Sequence, residues 1–369
     1  MLFSPGVSSI KRQVLELTAV DQKPGFSLPA DLSADRPAER RGLSRDQVRL
    51  LVIDRYADTV AHTRFDRISE FLAPGDLLVF NSSRTLPATL IGKARDLALA
   101  IEVRLAELLP DGTWLALLRP VSPEKIEDVL AHGLILDFER DLSCEVLNRD
   151  QRIRRLWRLR FSKSGMDFLD LLYRIGQPIR YRYLSAAWPL NYYQNVYALQ
   201  PGASEMASAG RAFSWKLLLR LRGQGVGSTS ITLHTGLSSY LDNELDRQHL
   251  ASEEVYWVGE EAANTIRRTR DSGGRVIAVG TTVVRALEST AAGFGGEIRP
   301  CHRYTKLRIT AGYPLQIVKG LLTGLHEPEA SHLDLLAAFV QPETIYAAYN
   351  EAVQRRYLWH KFGDLNLIL

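Results

Sequence analysis

Gly273-Gly274-Arg275-Val276-Ile277-Ala278-Val279-Gly280-Thr281-Thr282 is the stretch on which the architecture turns. Paired glycines end one element, residues 276–279 are continuously apolar, and a glycine with two threonines opens the next. A short apolar run without alternation fits a strand buried on both faces, the condition of a parallel strand between layers of helices. A helix opening at Thr281 and Thr282 brings free backbone N–H groups to the strand's carboxyl end, where an anion or the polar edge of a cofactor can bind. Arg285 and Glu288 follow on the same helix. An ordinary strand-to-helix turn with Thr as N-cap reads from the same pattern. There is no GxGxxG, so a dinucleotide site is disfavoured.

Working outward, the chain after Ser162 alternates helices with strands. Helices are expected around Gly165 to Arg174, from about Ser204 to Arg222, from Glu260 to Arg270, from Thr281 onward, and over Ser331 to Phe339 and Glu343 to Tyr357. Strands are expected at Leu50 to Ile53, Ser230 to His234, Arg275 to Val279 and Leu315 to Thr323. This is an α/β pattern with parallel-type units. From Gly75 to about Phe161 the character differs: short strands follow one another with turn signals such as Asp111-Gly112 between them. The candidates are Asp76 to Phe80, Ala88 to Lys93, Leu99 to Leu108, Thr113 to Leu118, Leu134 to Phe138, Cys144 to Leu147 and Ile153 to Phe161. Strands at this spacing suggest a small closed antiparallel β-barrel. The expected organisation is a layered α/β domain of residues 1–74 and 163–369 with a β-barrel domain, 75–162, inserted in it.

At 369 residues, 46% hydrophobic and 24% charged, the chain has the composition of a globular protein, not of a disordered, collagenous or coiled-coil one. No apolar run approaches the roughly 18 residues of a bilayer crossing, so no membrane association is expected. Met1 to Leu17, with Lys11 and Arg12 after its apolar patch, does not read as a secretory signal. Cys144 and Cys301 are too few for a disulfide framework, and a reduced, cytoplasmic location is the expectation. The net charge of +4 permits a nucleic-acid partner without requiring one. Nine of the 46 cationic residues are Lys and the rest Arg, the side chain that grips phosphates and carboxylates bidentately.

Several clusters can carry chemistry. Leu233-His234-Thr235-Gly236-Leu237-Ser238-Ser239 ends a strand in a His and a polar loop, where His234 can act as general base or serve structure. Gly324-Leu325-His326-Glu327-Pro328-Glu329 repeats the arrangement with His326. Glu253 and Glu254 precede a strand-like Val255 to Val258, and Phe80-Asn81-Ser82-Ser83-Arg84 gathers an amide, hydroxyls and a guanidinium in one turn. Arg152, Arg154, Arg158 and Arg160 alternate so as to share one strand face, which suits RNA phosphates or an exposed barrel surface. The histidines show no HxH or HxxxH spacing, and no metal site is expected.

In chain order these segments resemble the S-adenosylmethionine:tRNA ribosyltransferase-isomerases of queuosine biosynthesis. The matching residues include Gly75-Asp76-Leu77-Leu78-Val79-Phe80-Asn81 with Arg84, Tyr193-Gln194, Leu233-His234 with Gly236-Leu237, and Glu254. Further matches are Arg275 to Thr282 with Arg285 and Glu288, Gly312-Tyr313, His326 with Pro328, and Gly363-Asp364. The resemblance implies an α/β domain with an inserted β-barrel. It also implies transfer and isomerisation of the ribosyl part of S-adenosylmethionine onto a 7-aminomethyl-7-deazaguanine base in tRNA, giving epoxyqueuosine with release of adenine and methionine. Such chemistry needs a base for the C5′ proton that the sulfonium acidifies, a donor for departing adenine, and a cradle for the methionine carboxylate. His234, Glu254, His326 and Asp364 are the implied proton carriers. Arg84 and Arg285 are the implied anion clamps, Gly280, Thr281 and Thr282 supply backbone donors, and Asn81 and Glu288 complete the implied substrate-binding set.

The resemblance departs at Asn81-Ser82-Ser83-Arg84, where the family has Asn-Asp-Thr-Arg. It departs again at Ile179-Arg180-Tyr181-Arg182, at Ala207 to Ser214, where Ala212 replaces a His, and at Gly324 to Ala330, where Glu329 replaces a Lys. Arg180 and Arg211 are candidate compensating phosphate contacts. The alternatives are a paralogous S-adenosylmethionine-dependent enzyme with a non-tRNA acceptor and a non-catalytic RNA- or nucleotide-binding relative.

Overall fold

A computed structural model describes residues 25–97, 99–121, 132–238 and 254–369. Lys11, Arg12, Ser239 and Glu253 lie outside the described residues. The chain begins with β1 (Arg49–Asp54), β2 (Thr59–Arg64), β3 (Leu77–Asn81) and the short β4 (Ser83–Thr85). Six strands follow: β5 (Thr89–Ala94), β6 (Ala100–Leu108), β7 (Trp114–Pro120), β8 (Ile135–Asp137), β9 (Ser143–Arg149) and β10 (Leu156–Phe161). Next come α1 (Gly165–Ile175), β11 (Gln200–Ala203), α2 (Trp215–Gly223), β12 (Gly227–Leu233), β13 (Glu254–Val258), α3 (Glu260–Asp271) and β14 (Val276–Val279). The chain closes with α4 (Thr281–Gly293), β15 (Cys301–Thr305), β16 (Gly320–Gly324), α5 (His332–Leu336), α6 (Pro342–Gln354) and β17 (Leu365–Ile368).

Among the described residues, β15-β13-β12-β3-β14-β16-β17-β1-β2 form one nine-stranded sheet, and β5 to β10 form a closed barrel in the order β10-β7-β6-β5-β8-β9. The sheet is parallel at β12–β3, β3–β14 and β14–β16. Its margins turn antiparallel at β12–β13 and β1–β2. Every barrel pairing is antiparallel. Barrel strand β5 alternates between buried and exposed residues, because one face fills the lumen and the other meets water. In β3 all five residues are buried.

That contrast corrects one expectation: Leu77–Asn81 belongs to the large sheet, between β12 and β14, and the barrel strands begin at Thr89. A strand covered on both faces has no alternation, and its apolar run distinguishes it from the barrel strands that follow. The helix expected over Ser204 to Arg222 is also shorter, Trp215–Gly223 alone. Upstream, the Ser204 amide donates to Thr235 O (2.8 Å) and its hydroxyl to Ala106 O (3.1 Å), tying the segment to its neighbours. Ser214 then caps α2 by accepting from the Leu217 amide at 3.1 Å. The strand expected over Leu315 to Thr323 pairs only from Gly320.

Apolar side chains of α3, α4 and α6 cover one face of the sheet, and α2 with Phe65 and Phe213 covers the other. The barrel has its own core, which Phe168 and Leu172 of α1 join. Among the described residues no helix is long and apolar enough to cross a membrane.

Candidate functional site

A cleft of about 270 Å³ opens where β14 and β16 end. Strand β14 ends in Val279 and hands over to α4 through Gly280, whose φ of +105° and ψ of 148° lie where only glycine is comfortable. Gly280 donates to Leu322 O at 2.8 Å, and its own carbonyl accepts from Val283 and Val284. The amides of Thr281 and Thr282 precede that first helical bond, so the positive end of α4 faces the cleft. Val279, Gly280, Thr281, Thr282 and Arg285 all line it.

Two acid–cation pairs complete the lining. Glu254, at the start of β13, pairs with Arg285, whose Nε also donates to Leu307 O at 3.0 Å. Burial pushes the Glu254 carboxyl above its ordinary value, and the Arg285 charge offsets this only in part. The second pair is Glu205 with Lys361, 3.0 Å apart. Glu205 is 4% exposed and accepts from the Ser238 amide at 2.8 Å, from the Ser238 hydroxyl, and from Tyr181 Oη at 3.2 Å. Burial alone would raise its pKa, but the Lys361 charge and the Ser238 bonds outweigh it and hold the carboxyl below the ordinary range. The Lys361 ammonium also sits 5.5 Å from the Tyr181 ring centroid.

The expected site residues divide between the cleft and the scaffold. Gly280, Thr281, Thr282, Glu254 and Arg285 come together in the cleft. His234 stands behind the cleft lining, with Nδ1 2.7 Å from Ser83 Oγ and its ring packed where a Gly202 side chain would otherwise be. Burial lowers its pKa, so the ring is neutral at neutral pH. His326 lies 2.9 Å from Thr323 Oγ1 and stacks on His332, with ring centroids 4.6 Å apart, and it is His332 that lines the cleft. Burial, aided by His332 and Lys361, holds His326 well below the ordinary imidazole value.

Four expected site residues are placed elsewhere. Asp364 accepts from the Arg49 amide (2.8 Å) and the Leu358 amide (2.7 Å), joining the chain's end to β1 away from the cleft. Burial raises its pKa against those bonds. Glu288 is fully buried and accepts from the amides of Gln316, Ile317 and Val318 at 2.8–2.9 Å, so its carboxylate shapes the approach to β16. Asn81 accepts from the Leu233 amide (3.0 Å) and donates to Leu233 O (2.8 Å), locking the ends of β3 and β12 together. Arg84 projects from β4 into solvent, outside the lining. Each of the three buried polar side chains satisfies backbone groups that chain order alone does not bring near it.

Two arginine readings change as well. The barrel strand begins at Leu156, so Arg152 and Arg154 precede it, in a turn built on Asp150. Arg158 pairs with Asp111 and Arg160 with Glu145. Arg211 is buried, pairs with Glu39 at 2.7 Å and donates to Tyr192 O, so it offers nothing to a phosphate. Reading by sequence missed Glu205, Lys361 and His332, and named Ser238 only as part of the polar loop after His234. Glu205 fell within an expected helix, and Lys361 gains meaning only through its partner 156 positions away. Among the described residues no group of three or more His, Cys, Asp or Glu is placed to hold a metal ion.

A family model described as queuosine biosynthesis protein matches residues 22–368. The chain belongs to this family. An S-adenosylmethionine:tRNA ribosyltransferase-isomerase of Heliobacterium modesticaldum is 36% identical over 350 residues, covering 93% of this chain and 98% of the relative. One from Acaryochloris marina is 38% identical over 367 residues, covering 96% and 95%. The crystal structure of the S-adenosylmethionine tRNA ribosyltransferase of Thermotoga maritima matches 94% of this chain and all of that one, at 30% identity and a TM-score of 0.52. The α/β sheet with its antiparallel barrel is therefore the architecture of a queuosine biosynthesis family member.

Proposed function

We propose that this chain transfers and isomerises the ribosyl part of S-adenosylmethionine onto a 7-aminomethyl-7-deazaguanine base in tRNA, giving epoxyqueuosine and releasing adenine and methionine. The observation that carries the reading is the pairing, in one cleft, of a helix N-terminus with a buried carboxylate of raised pKa. The amides of Thr281 and Thr282 suit the methionine carboxylate, an anion at the positive end of a helix. Glu254 is the group to take the C5′ proton, because burial raises its pKa and a carboxylate so shifted is the stronger base. Arg285 fixes its orientation. Lys361, held by Glu205, supplies a second cation for the polar parts of donor or acceptor. A tRNA acceptor places the reaction in the cytoplasm.

The test is incubation of the purified protein with S-adenosylmethionine and tRNA bearing the aminomethyl-deazaguanine base, following adenine and methionine by chromatography. Adenine release that depends on this tRNA is the expected result. Adenine release with a small-molecule acceptor in place of tRNA would overturn the assigned acceptor. Binding of S-adenosylmethionine with no release under either condition would make the chain a binding protein.

A further inference from the structure

Most arginines near the barrel are neutralised in place. Arg95 pairs with Asp137, Arg104 with Glu102, Arg158 with Asp111 and Arg160 with Glu145. Three arginines on segments that brace the cleft differ. Arg84, Arg180 and Arg182 are exposed, and among the described residues none has a carboxylate partner. Each adjoins a side chain directed inward. Ser83, before Arg84, holds His234 at 2.7 Å, and Tyr181, between Arg180 and Arg182, reaches Glu205 at 3.2 Å. The two segments meet at Tyr193, whose carbonyl accepts from Thr85 Oγ1 at 3.0 Å. Arg180 stands close enough for its charge to offset part of the rise that burial imposes on the Tyr193 phenol.

We infer that Arg84, Arg180 and Arg182 form the phosphate-binding rim that holds tRNA against the cleft. The inference rests on the proposed tRNA acceptor and adds which surface the nucleic acid uses. An unpaired guanidinium takes a phosphate without first giving up a carboxylate, and the polyanion releases its counterions as it binds. Arg95, Arg104, Arg158 and Arg160, already bonded to carboxylates, would have to give up those bonds first. Because each rim arginine sits next in sequence to a residue whose side chain points inward, a backbone held there delivers its neighbouring base to the cleft mouth.

The test measures equilibrium binding of the tRNA to the wild-type chain, to the triple variant Arg84→Gln/Arg180→Gln/Arg182→Gln, and to Arg158→Gln/Arg160→Gln, across a salt series. Binding of S-adenosylmethionine alone is measured in parallel as a check of folding. The triple variant is expected to bind tRNA about tenfold more weakly, with the log–log salt slope reduced by about 2, as loss of three phosphate contacts to a single-stranded loop implies. The barrel variant is expected to match wild type. If wild type binds tRNA and the triple variant binds it equally, with an unchanged slope, the rim is overturned while the proposed function stands. If wild type binds no tRNA at low salt, the proposed acceptor fails and the rim with it.

Discussion

At the scale of single residues, burial raises the pKa of both cleft carboxylates, and only for Glu205 do its partners, the Lys361 charge and the Ser238 bonds, outweigh it. Glu254 keeps a raised pKa despite Arg285, so the rate of adenine release should fall as pH drops through a value above the ordinary 4.5 for Glu. Glu254→Gln should lower that rate by roughly 10²–10⁴-fold while leaving tRNA affinity in place, which separate kinetic and binding assays would read. Glu205 has a folded-state pKa below 4.5, so its contribution to stability is complete above that value and is lost as pH falls through the folded pKa. Glu205→Ala leaves Lys361 unpaired and should cost about 3 kcal/mol in chemical denaturation. Asp364 has the opposite sign: its folded pKa is raised, so ionising it costs stability as pH climbs above 3.8. Glu254 was reached through the family resemblance, whereas Glu205 was not reached at all, since its setting comes from Ser238, Tyr181 and Lys361.

At the scale of elements, the junction between β14 and α4 decides how the site is presented. The apolar run 276–279 fills the centre of the sheet, and Gly280 turns the chain so that α4 begins with its amides toward the cleft. A Cβ at Gly280 would meet Ala209 and Thr282 only at 3.6 Å, so the obstacle to a side chain is the backbone conformation, not space. Gly280→Ala should therefore destabilise the fold by about 1–3 kcal/mol and raise the KM for S-adenosylmethionine as the turn relaxes and the Thr281 and Thr282 amides move. Thermal denaturation and steady-state kinetics check the two effects separately. The same junction explains why this element was readable in advance: Gly, an apolar run and a Thr pair are local signals. Residues 204–214 carried a misleading local signal, helix-compatible in composition but held irregular by bonds to Thr235 and Ala106.

For the whole molecule, β17 is the piece that joins distant parts. It pairs with β16 on one side and β1 on the other, linking the first strands of the chain to the central sheet. Removing Leu365–Leu369, all buried, should abolish cooperative folding, which circular dichroism and thermal denaturation would show. The sequence alone determined the α/β class, the run of barrel strands, and the helix that opens at Thr281, because each rests on periodicity or turn chemistry within a short window. It also carried the family resemblance along nearly the full chain. Only the tertiary structure decided that Leu77–Asn81 is a sheet strand, that Asp364, Glu288 and Asn81 serve the backbone, and that Glu205 meets Lys361 in the cleft. Burial on both faces and pairing between remote residues are properties of the packed chain. A titratable side chain takes its role from what surrounds it after folding, and that is not written next to it in the sequence.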